Sequence, residues 1–146
     1  MDIKARISRV AYMLKHIASE YRMQHTAPNK DGAPLHDLTL NDVYPSDVYS
    51  SLRDYADGIA ADAESMSVIK SMKGKPDGKV TIYRAVPPKV KDIKPGDWVA
   101  VSQTYAKDHA YNLEGPGKHG KVIKLSVKAS DLYTDGNSFN EWGYNP

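Results

Sequence analysis

KVTIYRAV, residues 79–86, is the stretch whose reading decides the fold. Val80, Thr81, Ile82, Tyr83 and Val86 are β-branched or aromatic, the side-chain types that fit a pleated, half-buried surface, so the spacing predicts a strand. Upstream, KGKPDGK (73–79) breaks whatever precedes it, because Gly and Pro punctuate regular structure. Downstream, the turn-forming PPKVKDIKPGD (87–97) leads to a second short strand, WVAVS (98–102). TYAKDHAYNL (104–113) reads as a short helix that Ser102 or Thr104 could cap, since a hydroxyl at that position accepts an otherwise unpaired N–H of the first turn. After a flexible GPGKHG (115–120), KVIKLSVK (121–128) alternates as a third strand, and SDLYTDGNS (130–138) turns into a last short strand around Phe139 to Tyr144.

The first half has a different texture. From Ile3 the apolar residues Ile7, Val10, Ala11, Leu14, Ile17, Ala18 and Tyr21 recur at helical spacing, with Lys4, Arg6, Arg9, Lys15 and Arg22 on the other face. This predicts an amphipathic helix within residues 1–26, laid on the domain or presented to a partner. Residues 27–56 are rich in Pro, Asn, Asp and Gly and read as a long connecting segment of the kind that often carries function. A second helix is expected from Asp57 to Met72, where Ile59, Ala63, Met66, Ile69 and Lys70 mark one side. Helices followed by crowded strands suggest an α+β domain with a mostly antiparallel sheet, and residues 57–146 form its β-rich core.

Composition narrows the setting. At 146 residues the chain has the length of one domain, and its 40% hydrophobic and 26% charged fractions are those of an ordinary globular protein. No apolar run is long enough to span a bilayer, and the basic start MDIKARISRV leads into no signal-like hydrophobic segment. A soluble, cytoplasmic protein with no membrane partner is therefore expected. The absence of cysteine rules out disulfides and thiolate metal sites. A net charge of +2 is too small to imply nucleic-acid binding, although the mildly basic C-terminal half would suit an anionic ligand.

Three polar clusters lie on or beside the expected strands. If Ile82 points into the core, Arg84 points the same way, because side chains alternate with period two. Such an arginine needs a phosphate, a carboxylate or a solvent-exposed strand end. Ser102 and Thr104, two apart, share one face of an extended backbone, and Glu141 is the only acid after Asp135. His36 and Asp37 could line a site or form a turn, and His109 and His119 lack the spacing and neighbours of a zinc site.

In that order, Arg84, Ser102 with Thr104, and Glu141 carry a resemblance to the ADP-ribosyltransferase domains of phages and prophages. It extends over roughly residues 33–146, through GAPLHDLTLNDVYPSDVYS, KVTIYRAV, IKPGDWVAVSQTYAKDHA and DLYTDGNSFNEWGYNP. The resemblance implies a split, mostly antiparallel sheet with N-terminal helices. It implies NAD as substrate, no metal, and transfer of one ADP-ribose group to a macromolecule, a host protein before nucleic acid. Takeover of the host, evasion of its defences and toxin action are the uses that would follow.

By the same resemblance Glu141 would hold the ribose and favour a developing ribosyl cation. Ser102 would brace Glu141, Arg84 would meet phosphate or ribose, and the backbone at Ala85 would pair with the nicotinamide amide. Thr104 would line the cofactor with Ser102, and Tyr105 and Tyr111 would wall the nicotinamide ring. Relatives that modify arginine have Glu or Gln two positions before the glutamate, where this chain has Phe139, so an arginine acceptor is not implied. The alternatives are an inactive binding or virion-associated protein on this fold, an NAD glycohydrolase, and, lowest, an RNA 2′-phosphotransferase, which would need more converging cations.

Overall fold

KVTIYRAV forms a strand over its whole length in the computed structural model of the chain, which describes residues 27–146. The amphipathic helix expected in residues 1–26 lies outside the described residues. The strands are β1 (Ala33–Pro34), β2 (Lys79–Val86), β3 (Trp98–Val99), β4 (Lys121–Lys128), β5 (Leu132–Thr134) and β6 (Trp142–Tyr144). Among the described residues two helices, α1 (Asp62–Met72) and α2 (Gln103–Ala110), complete an α+β arrangement in which every strand pair is antiparallel.

The strands fall into two sheets. β2 and β4 pair over eight residues, from Lys79 opposite Lys128 to Val86 opposite Lys121. The other four run in the order β1-β5-β6-β3. The sheets meet at a single bridge, where Tyr83 and Ala100 exchange both backbone hydrogen bonds at 2.8 Å. Around that junction Tyr83, Arg84 and Ala85 are all half-buried, whereas Val80, Ile82 and Val86 follow the strand alternation into the core. The alternation of β4 is only partly realised, since Val127 alone is fully buried there.

Helix α1 begins later than its apolar spacing suggests. The Asp62 carboxylate accepts the N–H groups of Gly58 and Ile59 at 2.7 and 2.9 Å, which folds residues 58–61 into a turn ahead of the helix. Asp62 and Glu64 in the first turn and Lys70 in the last complement the helix dipole. Met66 and Ile69 are buried, and Gly74, with φ 73°, carries the chain away.

The segment read as a long connector is much of the core. Its three 3₁₀ turns are Leu40–Asp42, Val48–Ser50 and Leu52–Tyr55; the last two bury Val48, Leu52 and Tyr55, and the segments around the first bury Leu35, Leu38 and Tyr44. Tyr44 packs edge-on against Tyr55 (centroids 5.7 Å apart, 89°) and tilted against Phe139 (5.4 Å). Phe139 is not in a strand. It is a fully buried plug whose carbonyl accepts the Trp142 indole N–H at 2.7 Å. Strands β1 and β5 were hidden within stretches read as connector and turn, because two- and three-residue strands have no period to detect.

Pro28 closes the end of the sheet. Its carbonyl accepts the Asn145 side-chain amide at 2.7 Å, and a Cβ added at Gly143 would lie 1.8 Å from that same oxygen. Gly143→Ala should therefore force β6 and Pro28 apart and cost about 1–3 kcal/mol, the range for overpacking. Urea denaturation measures it, and an unchanged midpoint would refute the close approach.

Candidate active site

Arg84 and Glu141 come together in one cavity of about 280 Å³ lined also by Tyr83, Ala85, Trp98, Tyr105 and His109. Arg84 is placed by β2 just past the bridge between the sheets. Its Nη1 donates to the Trp98 carbonyl at 2.6 Å and its Nε lies 3.6 Å from an Asp97 carboxylate oxygen, so the guanidinium has the partner that a half-buried arginine requires. A guanidinium has five N–H donors, and these contacts leave others for an anion in the cavity.

Glu141 sits in the turn that leads into β6. The turn is held by Asn140, which is fully buried and uses its whole side-chain amide. Its nitrogen donates to Asp57 and Asp62 at 3.0 and 2.9 Å, and its oxygen accepts the Ser65 hydroxyl at 2.7 Å. Ser138 adds a second tie, accepting the Asn140 N–H at 3.0 Å and donating to Asp57. A buried amide left unpaired costs about 1–3 kcal/mol, so this network strongly favours one position of the turn. The Glu141 carboxylate accepts the Tyr105 hydroxyl at 2.5 Å.

Ser102 has a different partner from the one the resemblance implies. It caps α2, accepting the Tyr105 N–H at 3.1 Å, and donates its hydroxyl to Glu64 at 3.2 Å rather than to Glu141. Thr104 also turns to Glu64, through its hydroxyl and through its N–H at 3.4 Å, and does not line the cavity. Tyr111 is outside it too. The ring is 69% exposed and stacks on His119 at 4.6 Å, past the end of α2, where it cannot wall a ligand in the cavity. Of the expected ring-binding tyrosines only Tyr105 lines it, joined by Trp98 and Tyr83. His36 and Asp37 are not part of the lining, and Asp37 accepts the N–H and hydroxyl of Thr39 in a local turn. Phe139 is in the core and cannot contact an acceptor.

Two groups have shifted acidities. The Tyr105 hydroxyl is pushed well above its ordinary value by burial, then by its hydrogen bond to Glu141 and the charges of Glu141 and Asp57, so it remains a donor at any working pH. Glu64 is held below the ordinary 4.5, chiefly by the Thr104 hydroxyl and further by the N–H of Thr104 and the Ser102 hydroxyl, against a smaller opposing effect of burial. Among the described residues no group of three or more His, Cys, Asp or Glu could hold a metal ion, and no helix is long and apolar enough to cross a membrane.

Glu64, Trp98 and the Asn140 network had no signature in the sequence. Glu64 reads as an ordinary first-turn acid, and only the fold brings it to Ser102 and Thr104. No protein-family model matches the chain, and neither a curated protein nor a solved structure shows significant similarity to it.

The lowered pKa of Glu64 has a definite consequence for stability. A carboxylate depressed in the folded state stabilises the fold above its unfolded value and loses that contribution as pH falls through the folded one. The loss should begin near pH 4.5 and continue below it. Glu64→Gln should flatten the fall in melting temperature between about pH 5 and 3 relative to the unaltered chain. Parallel melting curves across that window would count against the Glu64 clamp.

Proposed function

We propose that the chain cleaves the bond between nicotinamide and ribose in NAD and transfers ADP-ribose to a macromolecular acceptor. The observation that carries this reading is the opening of Arg84 and Glu141, remote in sequence, into one cavity with Ala85, Trp98 and Tyr105. The two antiparallel sheets joined at one bridge support an ADP-ribosyltransferase-like split sheet, with arginine, serine and glutamate in the family's chain order.

The chemistry follows from charge. Nicotinamide in NAD is cationic, and heterolysis of its bond to the anomeric carbon releases it neutral and moves positive charge onto the ribose. A fixed carboxylate beside that carbon stabilises the charge as it develops, with no reorganisation at the moment of reaction. Glu141 is so held. Arg84 supplies charge-assisted donors for phosphate or ribose oxygens, Trp98 and Tyr105 offer ring surface to the nicotinamide, and the cavity has room for the nicotinamide riboside end of the molecule. The acceptor's nucleophile then bonds to the anomeric carbon and gives up its proton. Ser102 acts at a distance in this scheme, by capping the helix that carries Tyr105.

A host protein in the cytoplasm is the acceptor and setting this reading favours. Incubation with NAD labelled in its adenylate phosphate and a bacterial lysate tests it. Label should enter protein, and Glu141→Gln should reduce turnover at least about a hundredfold, the scale of losing a preorganised charge-stabilising group. Arg84→Ala should raise KM on the order of tenfold, as expected for one charge-assisted hydrogen bond. Free ADP-ribose without labelled protein would make the chain a glycohydrolase. Absence of any NAD cleavage would return it to a binding role.

A further inference from the structure

Tyr105 has a ring in the cavity wall, but its position is better explained by its hydroxyl. The Glu141 carboxylate accepts one hydrogen bond among the described residues, and Tyr105 donates it, at 2.5 Å. We propose that the Tyr105 hydroxyl is the positioning group for Glu141, pinning one carboxylate oxygen so that the other is presented to the cavity.

The donor itself is fixed from three directions. The Tyr105 N–H is bonded to Ser102 at 3.1 Å, and Ser102, fully buried, is tied to Glu64 on α1. The preceding residue, Thr104, is bound to Glu64 by both its hydroxyl and its N–H. The Tyr105 ring lies 4.2 Å from the ring of His109, one turn along α2, whose Nδ1 is 3.1 Å from the Tyr105 carbonyl. The acceptor is equally constrained, because the Asn140 network sets the turn that carries Glu141. Glu64 thus reaches Glu141 through α2, and the serine and threonine of the Ser-x-Thr element serve the glutamate indirectly.

A hydrogen bond to an ionised carboxylate is shorter and stronger than one between neutral groups, and it favours the charged form. The other groups facing this pair are His109 on α2, Asp57 ahead of α1, and Arg84 and Tyr83 on β2. The directed contact is the Tyr105 hydroxyl. Its catalytic meaning rests on the transfer reading above, whereas its effect on the carboxylate does not.

Tyr105→Phe keeps the ring and its packing on His109 while deleting the donor, so it separates the two roles. In protein labelled with ¹³C at glutamate side chains, with the Glu141 resonance assigned by Glu141→Gln, the Glu141 carboxyl resonance should move in Tyr105→Phe as its donor is lost. The kcat for NAD cleavage should fall on the order of tenfold while KM stays within about twofold. The Tyr105 Cζ resonance should in turn move in Glu141→Gln, which reads the same contact from the other side. An unmoved Glu141 resonance in folded Tyr105→Phe, or a Tyr105 resonance indifferent to Glu141→Gln, overturns the proposal. A moved resonance in a chain that cleaves no NAD would remove the transfer reading and leave the pairing standing.

Discussion

The Asn140 side chain is the constraint on which the site depends. It is fully buried, yet its amide spends both N–H donors on Asp57 and Asp62 and its oxygen on the Ser65 hydroxyl. Those partners belong to α1 and the turn before it, whereas Asn140 precedes β6, so one side chain joins the helical half of the domain to the last strand. A partly satisfied buried network is worse than an apolar core, and the observed placement of residues 138–141 satisfies this one. Glu141 gains its position because its neighbour has no alternative.

The same economy explains why the cavity lies at the seam between the sheets. β2 and β4 form a ladder of eight residue pairs, whereas among the described residues the backbone of β2 pairs with the other sheet at only the Tyr83–Ala100 bridge. Just past that bridge the strands separate. The Arg84 side chain there reaches the Trp98 carbonyl and Asp97, and the opening is bounded by α2 and by the Glu141 turn. A continuous sheet would have buried Tyr83 and Ala85 in ladder packing. The split keeps them half-exposed, facing the cavity.

Periodicity made some of this architecture legible and could not reveal the rest. The ladder of β2 and β4 and the core of α1 follow from alternation and from helical spacing at Met66 and Ile69. The short α2 was marked by the Ser102 cap. By contrast, residues 35–55 bury six apolar or aromatic side chains in 3₁₀ turns and the irregular segments between them, whose spacing matches neither period, so Pro, Asn and Asp dominate their reading. Phe139 opens the stretch expected to form the last strand, but its neighbours form a turn and its ring is buried in the core against Tyr44. At the site, Arg84 and Glu141 could be singled out by residue type and order. The partnership of Ser102 could not, because a hydroxyl accepts any nearby carboxylate and Glu64 is delivered by tertiary packing alone.

The placement of charge around the cavity gives the proposed reaction a direction. Arg84 is the cationic contribution of β2, whereas Glu141 on the opposite side is backed by Asp57 and by the acidic first turn of α1. Each of these carboxylates is met by donors: Tyr105 for Glu141, Ser138 and Asn140 for Asp57, and Ser102 and Thr104 for Glu64. Apart from the tyrosine hydroxyl's own shift, such neutral donors stabilise anions without cancelling their field, as a lysine in the same position would. NAD is itself polarised, with anionic phosphates at its middle and a cationic ring at one end. On the proposed reading, a cleft with this asymmetry would draw the phosphates toward β2 and the nicotinamide toward the glutamate, so the electrostatics that would stabilise the transition state would also orient the substrate before it.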